Sequence, residues 1–317
     1  MKQLEIIRGL HNIKPHHYGC VATIGNFDGL HRGHQMVIGQ LIEKAQELRL
    51  PALVITFEPQ PEEFFLGNNA PARLSRFREK VLALRRFALD RLLAIDFNQP
   101  FAAVEAEMFV REVLVEGLGI RYLVVGDDFR FGKGRHGDFT LLQQMGAKHG
   151  FTVTHMHTQT ACGARISSTR IRSLLEQGRL DQAELLLGRP YRMSGRVAHG
   201  DKRGRQLGFP TANIHLHRKV APLQGVFAIE LFGIDGEPWR GVANIGFRPT
   251  VDGGRSLLEA HLFDFDGDLY GRHLHVDFLQ RLRGERRFPS VDELRRQISH
   301  DCANARSWFL SEGLASE

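Results

Sequence analysis

The sequence predicts an α/β domain with a doubly wound parallel sheet, followed by a β-rich domain folded as an antiparallel barrel or sandwich. The first observation is the length of 317 residues, which favours about two domains because a domain has roughly 100–200 residues. The second is the alternation of short apolar runs with helical patterns in the first half. The third is a series of β-rich segments, punctuated by Gly and Pro, in the second half.

The first half contains five short apolar runs, each predicted to be a buried strand. They are Cys20–Ile24, Ala52–Phe57, Leu92–Phe97, Tyr122–Gly126 and Phe151–His155. Helical patterns lie between them, over residues 37–48, 75–89, 102–117 and 140–149. Strands that alternate with helices predict a parallel sheet covered on both faces. Right-handed crossovers make such a sheet doubly wound and place ligands at the carboxyl ends of its strands.

The domain boundary is predicted near residue 187. Two helical segments, Thr169–Glu176 and Asp181–Leu187, precede a Gly-Arg-Pro break at residues 188–190. The chain would then consist of residues 1–187 and 188–317.

The second domain contains five β-rich segments and a closing helix. The segments are Tyr191–His199, Val226–Phe232, Trp239–Ile245, Leu257–Phe265 and Leu274–Leu282. Their spacing predicts an antiparallel barrel or sandwich. Ser290–Leu310 is a polar amphipathic stretch that predicts the helix, with Ser290 and Glu293 as its capping box.

The composition excludes several classes of protein. Hydrophobic residues make up 42% and charged residues 25%, which is ordinary for a globular protein. Cys20, Cys162 and Cys302 are far apart and form no C-x-x-C pair, which argues against a disulfide framework and favours a cytoplasmic protein. The N-terminus lacks the apolar core of a secretory signal, and no apolar run reaches the roughly 18 residues of a membrane span.

The net charge favours an anionic partner. Lys and Arg exceed Asp and Glu by 42 to 36, a formal charge of +6 at pH 7. Nucleic acid, an anionic membrane surface and phosphorylated small molecules all fit a basic protein. Charge by itself does not choose among them.

The string GNFDGLHRGH, residues Gly25–His34, predicts a phosphate site. It lies between a predicted strand and the first helix, where free backbone N–H groups and the helix dipole favour an anion. Gly25, Gly29 and Gly33 allow the backbone to approach a ligand closely. His31 and His34 share one face, and their imidazoles can donate hydrogen bonds to phosphate oxygens. The alternative is a pair of surface histidines in a Gly-rich turn.

Two further segments support a nucleotide site. Gly126-Asp127-Asp128-Phe129 follows a predicted strand, although aspartates in such a place also cap turns. The string ISSTRIR, Ile166–Arg172, opens a helix with hydroxyl groups that are followed by arginines. Such hydroxyls commonly cap a helix, and together with arginines they can hold a triphosphate tail.

These strings resemble the nucleotidyltransferase superfamily that has an H-x-G-H motif and an ISST-x-x-R element. The resemblance implies that His31 and His34 stabilise the charge on the α-phosphate and the leaving pyrophosphate, with no covalent nucleophile. It also implies a set of ATP-binding residues in this domain: Gly25, Asn26, Phe27, Asp28, Gly29, Gly33, Gly126, Asp128, Ser167, Ser168, Thr169 and Arg172.

A second basic, Gly-rich string occupies residues 195–213, GRVAHGDKRGRQLGFPTAN. Its glycines and cations predict a loop that wraps phosphates with backbone amides. The string lacks the Walker lysine pattern, and by composition a nucleic-acid-binding loop is about equally favoured. Thr211 and Asn213 offer two neutral oxygens, which suit Mg²⁺ better than zinc.

The second string resembles the riboflavin kinase signature. Downstream matches are Gly241–Thr250, Glu259-Ala260-His261, Phe265–Gly271 and Leu279–Phe288. With the first site, the whole chain resembles the bacterial bifunctional riboflavin kinase/FAD synthetase family, whose second domain is an antiparallel β-barrel.

The resemblance implies roles for individual residues of the second domain. Glu259 matches the catalytic base, Thr211 and Asn213 match the magnesium ligands, and Arg283 lies in a segment beside the flavin. The implied kinase ATP site consists of Gly195, Gly200, Lys202, Gly204, Arg205, Gly208 and Thr211.

The chain is therefore expected to phosphorylate riboflavin to FMN and to adenylylate FMN to FAD, with ATP as co-substrate and Mg²⁺ as cofactor. Riboflavin, FMN and ATP are the expected partners, with no nucleic acid and no membrane, and the oligomeric state is left open. Two departures from relatives matter: Gln60 replaces a histidine, so no proton transfer is assigned there, and Asp128 stands where some relatives have Asn. The alternatives are a nucleotidyltransferase with another acceptor, such as pantetheine phosphate or glycerol phosphate, and a basic RNA- or DNA-binding protein.

Overall fold

The computed structural model describes residues 3–156, 160–161, 164–199, 208–218, 220–248 and 255–315. The chain divides into a first unit, Met1–Pro71 with Ser75–Ser167, and a second unit, Ala72–Leu74 with Ser168–Glu317. The boundary near residue 187 stays a prediction. Five residues singled out from the sequence lie outside the described ranges, namely Cys162, Gly200, Lys202, Gly204 and Arg205.

The first unit is built on a parallel sheet that the described residues form with six strands in the order β1-β4-β3-β2-β5-β6. The strands are β1 Glu5–Arg8, β2 Cys20–Ile24, β3 Ala52–Glu58, β4 Arg91–Asp96, β5 Ile120–Gly126 and β6 Thr152–Met156. The side chains of β2 alternate between two cores, with Ala22 on one face and Val21 on the other. The predicted doubly wound sheet is confirmed. A short hairpin, β7 Thr160–Ala161 with β8 Ala164–Arg165, follows the sheet.

Helices cover both faces of this sheet. They are α1 Arg32–Leu48, α2 Pro61–Leu66, α3 Phe77–Leu84, α4 Gln99–Ala102, α5 Ala106–Met108 and α6 Phe139–His149. Beyond α5 the chain continues as a π-helix over Phe109–Gly117, in which the N–H of Leu118 bonds to the carbonyl of Val113 at 3.0 Å. The single helix predicted for residues 102–117 is therefore divided, because α4 ends at Ala102 and the next turn begins at Ala106.

The second unit begins with α7 Ser168–Glu176 and α8 Leu180–Leu187 and continues as a barrel. The barrel strands are β9 Tyr191–Ala198, β10 Ala212–His215, β11 Gly225–Phe232, β12 Trp239–Arg248, β13 Arg255–Leu262 and β14 His273–Arg283. Within the described residues they close in the order β10-β13-β12-β11-β14-β9, with antiparallel pairing throughout. The second domain is therefore an antiparallel barrel and not a sandwich.

The long helix α9, Val291–Ala315, lies against the outside of the barrel. Its residues Ala305 and Phe309 are buried in one cluster with Ala228 and Val242 of the barrel. Ser290 caps this helix as predicted, because its hydroxyl accepts the N–H of Glu293 at 3.2 Å, which is one of the two bonds of a capping box. The helices in the described ranges are all too short or too polar to cross a membrane.

Candidate active sites

The first candidate site is the loop that joins β2 to α1. Its backbone turns sharply at Phe27, Gly29 and Leu30, which have φ values of 47°, 77° and 46°. The Asp28 carboxylate braces this turn from inside, since Oδ1 accepts the N–H of Ser75 at 2.9 Å and the Ser75 hydroxyl at 3.3 Å. The N–H of Gly29 donates to the same hydroxyl at 3.0 Å. Asp28 is thus buried within the loop and supports its shape.

The two histidines stack on each other at the start of α1. The centroids of the His31 and His34 rings are 3.6 Å apart and the planes are 14° from parallel. His31 is the N-cap of α1, because its Nδ1 accepts the N–H of His34 at 3.2 Å. A neutral imidazole that accepts at Nδ1 carries its proton on Nε2, so His31 offers a hydrogen-bond donor there. Gly33 lies tightly against the first ring, because a Cβ at that position would be 3.3 Å from His31 and the ring would have to shift slightly.

Both histidines are neutral at neutral pH. Burial lowers the pKa of His31 to about 4, and the attraction of Asp28 only partly offsets it, while Arg165 adds a small repulsion. Burial holds the pKa of His34 well below its usual range, and repulsion from His31 and Lys80 acts in the same direction. The pair can therefore bind phosphate oxygens as hydrogen-bond donors without carrying a charge of their own.

The end of β5 places Asp128 next to an arginine that the sequence analysis did not single out. Arg165 donates to Asp128, with 2.6 Å between Nη2 and Oδ2, and lies 4.0 Å from Asp127. Arg165 also lowers the pKa of His31 slightly by repulsion. Its position just before the ISST string was the available signal.

The predicted triphosphate-tail residues fall on both sides of the division between the units. Ser167 and Ile166 belong to the first unit. The carbonyl oxygen of Ile166 lies near Gly33, because a Cβ added to Gly33 would be 3.9 Å from it. Ser168, Thr169 and Arg172 belong to the second unit and open α7. The Arg172 Nε donates to the carbonyl of Ala72 at 2.7 Å.

A cluster of phenylalanines lies at the carboxyl ends of β3 and β4, and the sequence analysis missed it. Phe97 is its centre, with ring centroids 5.5 Å from Phe64, 5.7 Å from Phe65, 5.7 Å from Phe57 and 5.6 Å from Phe101. Phe65 is 65% exposed. The string FEPQPEEFF contains three of the five rings, but only the sheet brings Phe97 and Phe101 to them.

The second candidate site lies on the outside of the barrel, where β13 is paired on both sides. Glu259 is directly opposite Asn213 of β10 and directly opposite Asn244 of β12. Directly opposed residues in a sheet point to the same face, with Cβ atoms roughly 4.5–5.5 Å apart. The register therefore places the predicted base Glu259 beside the predicted magnesium ligand Asn213.

A cavity of about 490 Å³ lies beside Thr211, the other predicted magnesium ligand. It is bordered by Val197, Thr211, Ala260, Leu262, Leu269 and Tyr270, among others. The Pro210 carbonyl accepts the N–H of His261 Nδ1 at 2.9 Å, which ties the segment before Thr211 to β13. The hydroxyl of Thr211 and the amide oxygen of Asn213 are hard, neutral donors, and hard oxygen donors suit Mg²⁺.

The structure gives structural reasons for two other predicted site residues. A Cβ on Gly195 would collide with the carbonyl oxygen of His215, so glycine lets β9 and β10 approach. The Arg283 guanidinium is ion-paired with the buried Asp301 of α9, with 2.8 Å between Nη2 and Oδ2. Gly208 has a φ of 85° and lies in a turn. Contacts of these residues with ATP or flavin stay predictions.

Two family models match successive parts of the chain. The model described as FAD synthetase matches residues 13–170, and the model described as riboflavin kinase matches residues 187–309. The first match contains both histidines, and the second contains Asn213 and Glu259.

Curated relatives match almost the whole chain. A protein of Pseudomonas fluorescens is 52% identical over 305 residues, which cover 96% of this chain and 97% of the relative. A protein of Escherichia coli (strain K12) is 50% identical over 309 residues, which cover 96% and 98%. Both relatives carry the name bifunctional riboflavin kinase/FMN adenylyltransferase.

A solved structure also resembles the chain along most of its length. It is described as a macrolide-efflux protein from Streptococcus pneumoniae, is 30% identical, and has a TM-score of 0.81. The match covers 94% of this chain and 97% of that one. The description belongs to that protein, whereas the likeness of fold extends to this one.

Proposed function

Because the chain belongs to the family of bifunctional riboflavin kinase/FMN adenylyltransferases, we propose that it has two separate active sites, one centred on the histidine loop of the first unit and one on the barrel of the second. The chain phosphorylates riboflavin with ATP to give FMN, and joins FMN to the AMP part of a second ATP to give FAD and pyrophosphate. One observation carries the assignment: the FAD synthetase match contains the histidine pair, and the riboflavin kinase match contains the Asn213–Glu259 pair.

Adenylyl transfer is assigned to the loop between β2 and α1. A phosphate oxygen of FMN attacks the α-phosphorus of ATP, the bond to the bridging oxygen breaks, and pyrophosphate leaves. His31 and His34 donate hydrogen bonds to the phosphate oxygens as charge develops on them. The N-terminus of α1 adds the partial positive charge of its free N–H groups. No side chain needs to form a covalent bond with the nucleotide.

The FMN ring is assigned to the phenylalanine cluster at the ends of β3 and β4. Offset stacking or edge contact with an aromatic ring stabilises a flat aromatic ligand. Phe65 offers a ring that is 65% exposed, beside Phe64 and Phe97. Both strands end at the same edge of the sheet as β2, so this surface and the histidine loop share one edge.

Phosphoryl transfer to riboflavin is assigned to the outside of the barrel. Glu259 accepts the proton of the ribityl 5′-hydroxyl as its oxygen attacks the γ-phosphorus, and ADP leaves. Thr211 and Asn213 would hold Mg²⁺, which when bound neutralises charge on the β- and γ-phosphate oxygens. The cavity beside Thr211 supplies a place for the nucleotide.

The net positive charge of the chain is assigned to the binding of phosphate-bearing ligands and not to the binding of nucleic acid. Several arginines are already ion-paired with carboxylates, as in Arg165–Asp128, Arg192–Asp277 and Arg283–Asp301. A cytoplasmic location is consistent with Cys20 and Cys302, which are free and buried. Single-stranded RNA is expected not to bind at 150 mM salt, and tight binding that weakens steeply with salt would contradict this assignment.

The test of the two reactions is their stoichiometry. Purified protein is incubated with riboflavin and Mg-ATP, and flavins, ADP and pyrophosphate are separated by chromatography over time. FMN should form before FAD, and each FAD should be accompanied by one ADP and one pyrophosphate. FAD formation without ADP, or no flavin product at all, would contradict the proposal.

A further inference from the structure

Lys80 of α3 is a fully buried lysine that the mechanism above does not use. Moving an ammonium group out of water costs several kcal/mol unless good partners compensate. Surface positions for a lysine are available on the same helix, for example at Arg78, which is exposed. Burial of this lysine is therefore costly, and a role inside the first unit would explain why it is retained there.

One hydrogen bond of Lys80 links it to the histidine loop. Its Nζ donates to the hydroxyl of Thr56 at 3.1 Å, and this hydroxyl donates to the carbonyl oxygen of Asn26 at 3.4 Å. Thr56 is itself fully buried, on β3. The directions of donation agree, because a lysine can only donate and a hydroxyl can accept one bond while it donates another.

The segment that begins α3 holds the same loop at a second point. Ser75 binds the carboxylate of Asp28 through its N–H and its hydroxyl, and this hydroxyl also accepts the N–H of Gly29. The loop is thus held at Asn26 through Thr56 and at Asp28–Gly29 through Ser75. These two attachments lie on the chain just before His31, the N-cap of α1.

Lys80 also affects the histidine pair electrostatically. Because His31 and His34 are neutral at neutral pH, they cannot offset the negative charge that develops on phosphate by charge of their own. Repulsion from Lys80 contributes to the lowered pKa of His34, after burial and the neighbouring His31.

We propose that Lys80 is a positioning residue of the adenylyltransferase site, which holds the Asn26 segment through Thr56. The proposal rests on the function assigned above to the first unit. Lys80 acts through Thr56 and His34, and no contact with the nucleotide is assigned to it.

The test uses the full-length protein and four variants. Lys80→Met removes the charge at similar length, and Thr56→Val removes the hydroxyl link while the charge remains. Thr56→Ser restores the hydroxyl, and Arg78→Met removes an exposed cation from the same helix as a matched control. The kcat and KM for FAD formation from FMN and ATP are measured from pH 5 to pH 9. FMN formation from riboflavin by the same preparations reports on the second unit.

Thr56→Val is expected to lower kcat for FAD formation by up to about 100-fold, because a loop displaced by about 1 Å can cost that much, and Thr56→Ser should recover most of it. Lys80→Met should lose at least as much. On the acid side of the pH profile, the activity of Lys80→Met should begin to fall at a higher pH than that of the unsubstituted protein. The reason is that His34 protonates more readily once the repulsion from Lys80 is removed. Arg78→Met and riboflavin phosphorylation should be unchanged.

Two results would overturn the inference. One is a Thr56→Val variant with unchanged kcat for FAD formation. The other is an active Lys80→Met variant whose pH profile matches that of the unsubstituted protein. If Lys80→Met does not fold, the Thr56 pair decides alone. These results differ from a failure of the proposed adenylyltransferase function, because in that case the unsubstituted protein would form no FAD.

Discussion

Protonation of His31 is predicted to destabilise the first unit as the pH falls from about 6.5 to about 4. Burial lowers the pKa of this imidazole from 6.5 to about 4 in the folded chain. The unfolded chain takes up the proton near pH 6.5. Between these two values the unfolded state binds more protons, so the free energy of unfolding decreases as the pH falls through the window. One pKa unit corresponds to about 1.4 kcal/mol, so the full effect is about 3 kcal/mol.

The assay has to follow the first unit separately. Both tryptophans, Trp239 and Trp308, belong to the second unit, so intrinsic fluorescence follows that unit. Hydrogen exchange of peptides from α1, corrected for the intrinsic rate at each pH, follows the first. The variant is His31→Asn, because asparagine is also a good N-cap and does not titrate. His136→Asn removes an exposed histidine of the same unit and is the control.

The unsubstituted protein should lose about 3 kcal/mol more protection between pH 7 and pH 4 than His31→Asn. His136→Asn should behave like the unsubstituted protein. Equal losses in the unsubstituted protein and in His31→Asn would refute the reasoning, because they would mean that His31 takes up its proton equally readily in the folded and the unfolded chain.

Three further predictions concern the second unit and the thiols. Arg283→Met should lower the free energy of unfolding of the barrel by about 3–5 kcal/mol, measured by tryptophan fluorescence in urea, because it leaves a buried carboxylate of α9 without its cation; a loss below about 1 kcal/mol would contradict the ion pair. Gly195→Ala should cost about 1–3 kcal/mol in the same assay, since its methyl group would collide with a carbonyl oxygen of the neighbouring strand; unchanged stability would contradict that packing. In a Cys162→Ser variant, Cys20 and Cys302 should not react with a disulfide reagent at pH 8 until the protein unfolds. The reason is that burial raises the pKa of Cys20 to about 12 and that of Cys302 to about 11. Fast labelling of the folded protein would contradict this prediction, because it would show that a thiol is accessible.

Much of the fold could be predicted because its strands have strong local patterns. All five residues of β2 are buried, and the apolar run Cys20–Ile24 marks both of its ends. The short strand β10, Ala212–His215, was not predicted, because its sequence ANIH has no clear apolar period. It is a strand because β13 and β9 pair with it on both sides. That is a tertiary effect which a local pattern does not contain.

The site residues also divide into those that a local sequence pattern predicts and those that only the fold brings together. His31 and His34 were predictable because they lie in one short string whose spacing places both rings at one helix start. The roles of Lys80 and Arg165 were not predictable, because their contacts with Thr56 and Asp128 are made only when distant segments fold together. Asp28 was predicted to bind ATP, and the structure adds a bracing role within the loop, through its bonds to Ser75.

A crossed assay of two variants on two substrates shows whether the two reactions use separate sites. His31→Ala and Glu259→Ala are each supplied either with riboflavin and ATP or with FMN and ATP. His31→Ala is predicted to form FMN at the normal rate and to lose FAD formation, whereas Glu259→Ala should form FAD from FMN and lose riboflavin phosphorylation. Equal loss of both activities in either variant would contradict the assignment of one site to each unit.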